Sequence, residues 1–350
     1  MGMHRNLKSI IAAVAAGALV LATAGCGQGS NATEPSDPSD TSPINVVASV
    51  NQWGSLARQI GGDDVAVTSI LSSTGVDAHD FEPKTSDAAK IAKAEVVVSN
   101  GAGYDSWSTK SLSRTTINVS AASVTGAMDG DNPHLWFSKD ARAGMAKELT
   151  DTFCRVRPAL RKDFEKRYEQ WKTQEEQVEK LMSDFADAHA DPSYAATEAV
   201  AYYLMADMGF KDKTPKGYAQ SAASEGEAAP ADLQEFQSLI ESHEVDVVVN
   251  NTQEASDATN MITGSAGKSD VPVFDVTEQM PDDYTTLTDW IAALVGDLSD
   301  LLDTAETGDA DAGEAAGETG ESAGESADAA SDGASEETSG TESDTSSDAQ

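Results

Sequence analysis

Cysteine is scarce: two residues, Cys26 and Cys154, in a chain of 350. Two thiols build neither a disulfide framework nor a Cys-rich zinc site. Basic residues are also few, 23 Lys and Arg against 60 Asp and Glu, for a formal net charge of -37. Such a chain lacks the cations that neutralise nucleic-acid phosphates, and nucleic acid is excluded as a partner. Binding through anionic lipid head groups is excluded on the same ground. The one long apolar run, Ile10–Ala24, falls short of the roughly 20 residues of a transmembrane helix. Histidine occupies five positions, so few places remain for imidazole chemistry.

The two ends differ from the middle. Residues 1–25 contain Arg5 and Lys8, no acid, and then the apolar run, the pattern of an export signal. The segment Leu21-Ala22-Thr23-Ala24-Gly25-Cys26 resembles a bacterial lipobox, with Thr23 where Leu is usual. It implies a lipidated Cys26 that anchors the chain to the outer face of the cell membrane without spanning it. The bland alternative is a secretory signal followed by an incidental cysteine. Residues 26–43 lack large apolar side chains and read as a flexible tether. Residues 304–350 hold 14 acids and no Lys or Arg. With almost no apolar anchors this segment cannot offset its ordering entropy, and a disordered, solubilising tail is expected. Cys154 is expected to be a reduced core residue.

Between the ends lie about 260 residues, enough for two cores. Ile44–Val50, Val65–Leu71, Glu95–Ser99 and Thr115–Val119 are short β-branched runs, with helical patterns at Leu56–Ile60 and Thr85–Ala92. This βαβ rhythm predicts a parallel sheet covered by helices over residues 44–157. Leu160, Phe164, Tyr168, Trp171, Val178, Leu181, Met182 and Phe185 then recur at helical spacing behind Pro158, with no Gly or Pro to Ala190. A helix of about 30 residues would be about 45 Å long, enough to link two lobes, so residues 158–190 are assigned to a linking helix. Its charged residues Lys162, Glu165, Lys166, Glu169, Lys172 and Glu176 read as a solvated face. The alternation resumes over 191–303. Strands are expected at Ser193–Thr197, Val245–Val249 and Val271–Val276, and helices at Ala199–Met208, Ala231–Glu241 and Tyr284–Leu302. The fold class is therefore α/β, two parallel-sheet lobes joined by one long helix.

Ligands of open parallel sheets sit beyond the carboxyl ends of the strands. His79, in Gly75-Val76-Asp77-Ala78-His79-Asp80-Phe81-Glu82-Pro83, and His134, in Asn132-Pro133-His134-Leu135-Trp136, both follow predicted strands. His4 falls in the export signal, and His189 and His243 read as surface or turn residues. Asn250, Asn251 and Gln253 follow a strand and are candidates to line a cleft. Trp53, Trp107 and Trp136 read as core or cleft packing. Asn100-Gly101-Ala102-Gly103-Tyr104-Asp105 lacks the third glycine of a phosphate loop.

The order and spacing of VVASVNQWG, IGGD, AHDFEPKTSD, VVVSNGAGYDSW, NPHLW, EAVAYYLMADMGF and VPVFDVTEQMP resemble the substrate-binding lipoproteins of zinc/manganese-type ABC importers, from Ile44 to Leu302. Ala78 stands where that family often has Pro, and the His-rich loop of some zinc members is missing. The resemblance implies a rigid linking helix and one divalent ion in the inter-lobe cleft, held by His79, His134, Glu198 and Glu278. Two neutral imidazoles and two carboxylates would balance a divalent charge, and four protein ligands leave little room for a reactive water. Each imidazole needs an acceptor at its other nitrogen. Asp77 and Asp80 are close in sequence, and neither is preferred. Two His with two carboxylates suit zinc or manganese alike. The resemblance also implies a cognate permease with a cytoplasmic ATPase, a monomer, and no catalysis. Two rivals remain: a metallohydrolase in the same crevice, which would need an open coordination position and a nearby base, and a surface adhesin or scaffold with a structural metal.

Overall fold

The computed structural model describes residues 39–76, 78, 81–224 and 226–317, with side chains to residue 305. Cys26, the export signal, most of the tether, Asp77, His79, Asp80 and residues 318–350 lie outside the described residues. Two four-stranded parallel sheets carry the chain. In the first, β1 (Ile44–Val50) leads without a loop into α1 (Asn51–Gly61), and β2 (Val65–Leu71) follows on the outer edge. α2 (Thr85–Ile91) returns to β3 (Val96–Ser99), and β4 (Ile117–Ser120) completes the order β2-β1-β3-β4. β1 and β3 are the buried central strands and are mostly apolar, β1 interrupted by Asn45 and Ser49; β2, at the edge, alternates in burial.

α3 (Ala121–Thr125) and α4 (Lys139–Val156) cover this sheet, and α5 (Arg161–Ala188) leaves it. At 28 residues α5 is about 42 Å long. Pro158 opens the 3-10 turn that precedes it. Phe164, Trp171, Val178, Met182 and Phe185 bury the expected stripe, but Leu181 faces solvent. Of the expected solvated charges only Lys172 is half-buried.

The second sheet repeats the first. β5 (Ser193–Ala196) is followed by α6 (Tyr202–Asp207), which ends at Gly209 with φ +87°, and by the short edge strand β6 (Lys211–Asp212). α7 (Lys216–Ala222) and α8 (Pro230–Glu241) lead to β7 (Val247–Asn251). α9 (Asp257–Lys268) carries a capping box in which Ser256 Oγ accepts from Thr259 N (3.1 Å) and Thr259 Oγ1 from Ser256 N (2.8 Å). β8 (Val273–Val276) closes the order β6-β5-β7-β8. α10 starts at Leu287 and runs to Gly317, past the expected end at Leu302 and into the segment expected to be disordered.

α10 comes from the second half of the chain but packs on α1 and α5. Its Leu287, Trp290, Ile291, Leu294 and Leu298 join a core shared with β1, α4, α5, β5 and β7. One apolar core thus runs through both lobes, while smaller clusters lie under α8 and α9 and beside α2. Cys154 is a free, buried thiol in this core, as expected. His189 is buried rather than on the surface: it ends α5 against the Phe185 ring, with Nε2 3.5 Å from Asp303. His243 lies in the turn after α8 with φ +50°. Among the described residues no helix is long and apolar enough to cross a membrane.

Candidate metal site

Both sheets change winding direction between their two central strands, β1/β3 and β5/β7. Side chains beyond the carboxyl ends at these points converge. Glu198 lies two residues past β5, Glu278 two past β8, and Asn251 ends β7. From the first lobe come Gln52 at the start of α1, Tyr104 after β3, and His134 on the loop between α3 and α4.

His134, Glu198 and Glu278 each offer a ligand atom, all within 4.8 Å of one another. His134 Nε2 lies 3.5 Å from Glu198 Oε1 and 3.7 Å from Glu278 Oε2. The three are 3%, 9% and 0% exposed, so water cannot screen them. The tautomer of His134 follows from its neighbours. Asn132 Nδ2 donates to Ala199 O (2.6 Å), and Asn132 Oδ1 accepts from His134 N (2.9 Å). That fixes the amide, and its oxygen sits 3.0 Å from His134 Nδ1. Nδ1 therefore carries a proton, and the neutral ring presents its lone pair at Nε2. The acceptor is thus Asn132, a residue not considered from the sequence. Nε2 is buried, makes no hydrogen bond among the described residues, and points its lone pair at two carboxylates. Three electron-rich groups facing one another in a dry site form a donor set that suits a cation.

The carboxylates are held from behind. Asn251 Nδ2 donates to Glu198 Oε2 (2.5 Å) and reaches Glu278 Oε1 (3.3 Å). Tyr104 donates to Glu278 Oε2 (2.5 Å) and accepts from Gln279 Nε2 (2.9 Å). Burial, and after it the Glu278 carboxylate, pushes the Tyr104 phenol well above its ordinary range, so it stays a donor. Tyr104 is aimed by a turn in which Gly101, Ala102 and Gly103 all have positive φ (80°, 52° and 86°). A Cβ at Gly101 would meet Ala122 Cβ at 2.5 Å. Asp105 closes the turn, accepting from Asn100 N (2.6 Å) and Gly101 N (2.8 Å). The rings of Trp136 and His134 meet edge-on at 5.4 Å.

The lobes are stitched beside this cluster. Gln52 Nε2 donates to Glu278 O (2.5 Å), and Asn51 exchanges hydrogen bonds with Met280 N and O (3.2 and 2.6 Å). Gln253 Oε1 accepts from Glu278 N (2.7 Å) and Gln279 N (3.2 Å), while its Nε2 reaches Val76 O across the cleft (3.0 Å). His134 and Glu198 line a cleft of about 870 Å³ walled by Phe81, Trp107, Lys110 and Ala223. Ala78 also lines it; the adjoining His79 is outside the described residues. Of the three tryptophans, Trp53 and Trp136 are fully buried and Trp107 lines the cleft. Of the three residues expected to line a cleft, Asn251 and Gln253 instead hold Glu198 and Glu278, and Asn250 donates to Asp275 (2.8 Å); Asn51, Gln52, Tyr104 and Asn132 were not foreseen. The signal for them was polar side chains at strand ends, a position that recruits toward a crevice.

A family model for the periplasmic component A of a zinc-uptake complex matches residues 46–301. The zinc-binding lipoprotein AdcA of Streptococcus pneumoniae is 22% identical over 288 residues, 75% of this chain and 56% of that protein. The manganese-binding lipoprotein MntA of Bacillus subtilis is 24% identical over 260 residues, 70% of this chain and 81% of that protein. Among solved structures, the periplasmic zinc-binding protein TroA of Treponema pallidum matches with a TM-score of 0.64 at 15% identity. That match covers 74% of this chain and 99% of TroA.

Proposed function

This chain belongs to the family of periplasmic zinc-uptake components, metal-binding proteins of zinc/manganese ABC importers, and from that premise we propose how it captures its cargo. His134, Glu198 and Glu278 hold one divalent ion, and His79 supplies a fourth ligand from the other side of the cleft. The observation that carries this is the buried His134 lone pair facing two carboxylates. Two carboxylates and neutral imidazoles neutralise a divalent ion, so the loaded site has no net charge to desolvate. The empty site keeps two anions close together in a dry crevice and gains from any cation that fits. The chain works outside the cytoplasm, anchored through a lipidated Cys26, with residues 26–43 as tether. It passes its ion to a membrane permease driven by a cytoplasmic ATPase. The shared core and the linking helix confine opening to the loops at the cleft.

The test is metal uptake by purified protein stripped with chelator. One ion per chain is expected, with a rise in thermal midpoint. At a free ion concentration 100 times Kd, linkage supplies about 2.7 kcal/mol, or roughly 5–10 °C for a folded part of this size. His134→Ala, Glu198→Ala, Glu278→Ala and His79→Ala should each lose most of the uptake. Unchanged affinity in any of the first three would refute the assignment.

A further inference from the structure

We propose that Asn132 is a spacer between the lobes: pinned by Ala199 and Tyr203, it sets the separation of His134 and Glu198 and thereby how long the ion stays. This rests on the metal-capture reading and adds the residues that hold its ligands in register. His134 comes from the first lobe and Glu198 from the second, so no single sheet fixes the distance between them. Yet His134 Nε2 and Glu198 Oε1 stand 3.5 Å apart. Two donors at about 2.0–2.1 Å from one tetrahedral ion are about 3.3–3.4 Å apart. The spacing is already close to what such an ion needs.

A short chain of hydrogen bonds accounts for it. Ala199 adjoins Glu198, and its carbonyl accepts from Asn132 Nδ2 (2.6 Å). Asn132 Oδ1 accepts from His134 N (2.9 Å) and faces Nδ1 of the same residue at 3.0 Å. The Asn132 carbonyl accepts from the Tyr203 hydroxyl (3.0 Å). Asn132 is thus held by the second lobe through both its backbone and its amide. Pro133 is held by the first lobe: its carbonyl accepts from Asn100 Nδ2 (2.8 Å), and Asn100 Oδ1 accepts from Trp53 Nε1 (2.9 Å). The chain before Asn132 gives little support. Met128 is 71% exposed, Gly126 and Gly130 have φ of +80° and +95°, and a Cβ at either glycine would meet nothing within 4 Å. Without its bonds to the second lobe, Asn132 would move with that loop and carry away the acceptor behind His134 Nδ1. A smaller share of molecules would then hold the donors in binding geometry, and apparent affinity falls with that share. Asn132 and Tyr203 are positioning residues in this scheme, not ligands. A neighbouring contact between the lobes supplies the control. Asp207 Oδ2 accepts from Lys139 N (3.0 Å), and Oδ1 lies 3.6 Å from Lys139 Nζ; neither residue bonds to Asn132 or to a ligand.

The experiment uses the full chain, freed of metal, as wild type, Tyr203→Phe, Asn132→Asp and Asp207→Ala. Zinc affinity is measured by competition with a chromophoric chelator and dissociation by stopped-flow transfer to it. Cobalt(II) reports the ligand set through its visible spectrum. Tyr203→Phe should raise the zinc Kd roughly two- to tenfold through faster dissociation, the equivalent of one hydrogen bond. Its cobalt spectrum should match wild type, because no ligand is removed. Asn132→Asp keeps an acceptor for His134 but offers Ala199 no N–H, and should speed dissociation by roughly tenfold. Its added negative charge would by itself slow the loss of a cation, so charge does not mimic this result. Asp207→Ala should bind zinc as wild type does. Wild-type dissociation rates in Asn132→Asp would mean that Asn132 serves His134 alone, and would overturn the spacer. Tyr203→Phe binding as wild type, or Asp207→Ala weakening zinc as much as Tyr203→Phe, would overturn it as well. Wild-type protein that takes up no ion of any kind refutes metal capture itself, and this proposal with it. If Asn132→Asp does not fold, Tyr203→Phe against Asp207→Ala carries the comparison.

Discussion

Neutralising Glu175 should destabilise the metal-free protein by about 3 kcal/mol. Glu175 lies in the linking helix α5 and faces Arg142 of α4; both are buried. Arg142 Nε donates to Glu175 Oε1 (2.7 Å), and Nη2 lies 2.6 Å from the same oxygen. Nη1 donates to the carbonyls of Trp136 (3.2 Å) and Phe137 (2.9 Å). In Glu175→Gln the guanidinium stays buried, keeps its carbonyl partners and loses its counter-charge. Removing one partner of a buried pair costs about 3–5 kcal/mol. The lower end applies because the Gln carbonyl still accepts an N–H. With a urea m-value of about 3 kcal/mol/M, the unfolding midpoint should drop by about 1 M. The double variant Arg142→Met/Glu175→Leu removes both charges and should recover most of the lost stability. A midpoint that moves by less than about 0.3 M in Glu175→Gln, or a double variant less stable than the single one, would refute this account of the pair.

Gln253→Ala removes the one side chain that joins the Glu278 backbone to Val76 across the cleft. It should speed metal dissociation by roughly tenfold, read by stopped-flow transfer to a chelator, and lower stability by about 1–3 kcal/mol because the buried Glu278 and Gln279 N–H groups lose their acceptor. Stability should also fall at alkaline pH. Burial raises the folded-state pKa of Tyr104, Tyr194, Tyr203 and Tyr218, the last to about 12. The unfolded chain loses these protons near pH 10 and the folded one later. Their contribution is complete below about pH 10 and is lost as pH rises toward 12 and beyond. Urea midpoints between pH 8 and 11 that stay level would contradict it.

Much of the architecture was visible in the sequence because central parallel strands are apolar on both faces, and Val46–Val50 and Val96–Val98 announce themselves. Three of the four candidate ligands that the resemblance implied are brought together by the structure, Glu198 and Glu278 just past strands and His134 on the loop between α3 and α4. α4 escaped notice because its buried face mixes Met145, Leu149 and Phe153 with Ala141, Arg142, Ala146, Thr150 and Thr152, which dilute the apolar stripe. α9 was hidden likewise by Gly264, Ser265 and Gly267. Glu175 and Glu176 are indistinguishable as letters; only Arg142, 33 residues away, separates a buried ion-pair partner from an exposed charge. Asn132 and Asn251 are neutral and common at turns, so their roles appear only once the amide orientations are fixed in space.

Asn51 meets Met280 across 229 residues, and Ser55 caps Leu287 N across 232. Contacts of that span close late in folding, after the local helices and strand pairs have formed. Glu278 lies two residues before Met280, so the cluster it forms with His134 and Glu198 is assembled only once such long-range contacts close. For the proposed metal site, the compartment that matters is the one in which the chain finishes folding. The pool of ions present there, rather than the pool present where the chain is made, sets what the site first encounters.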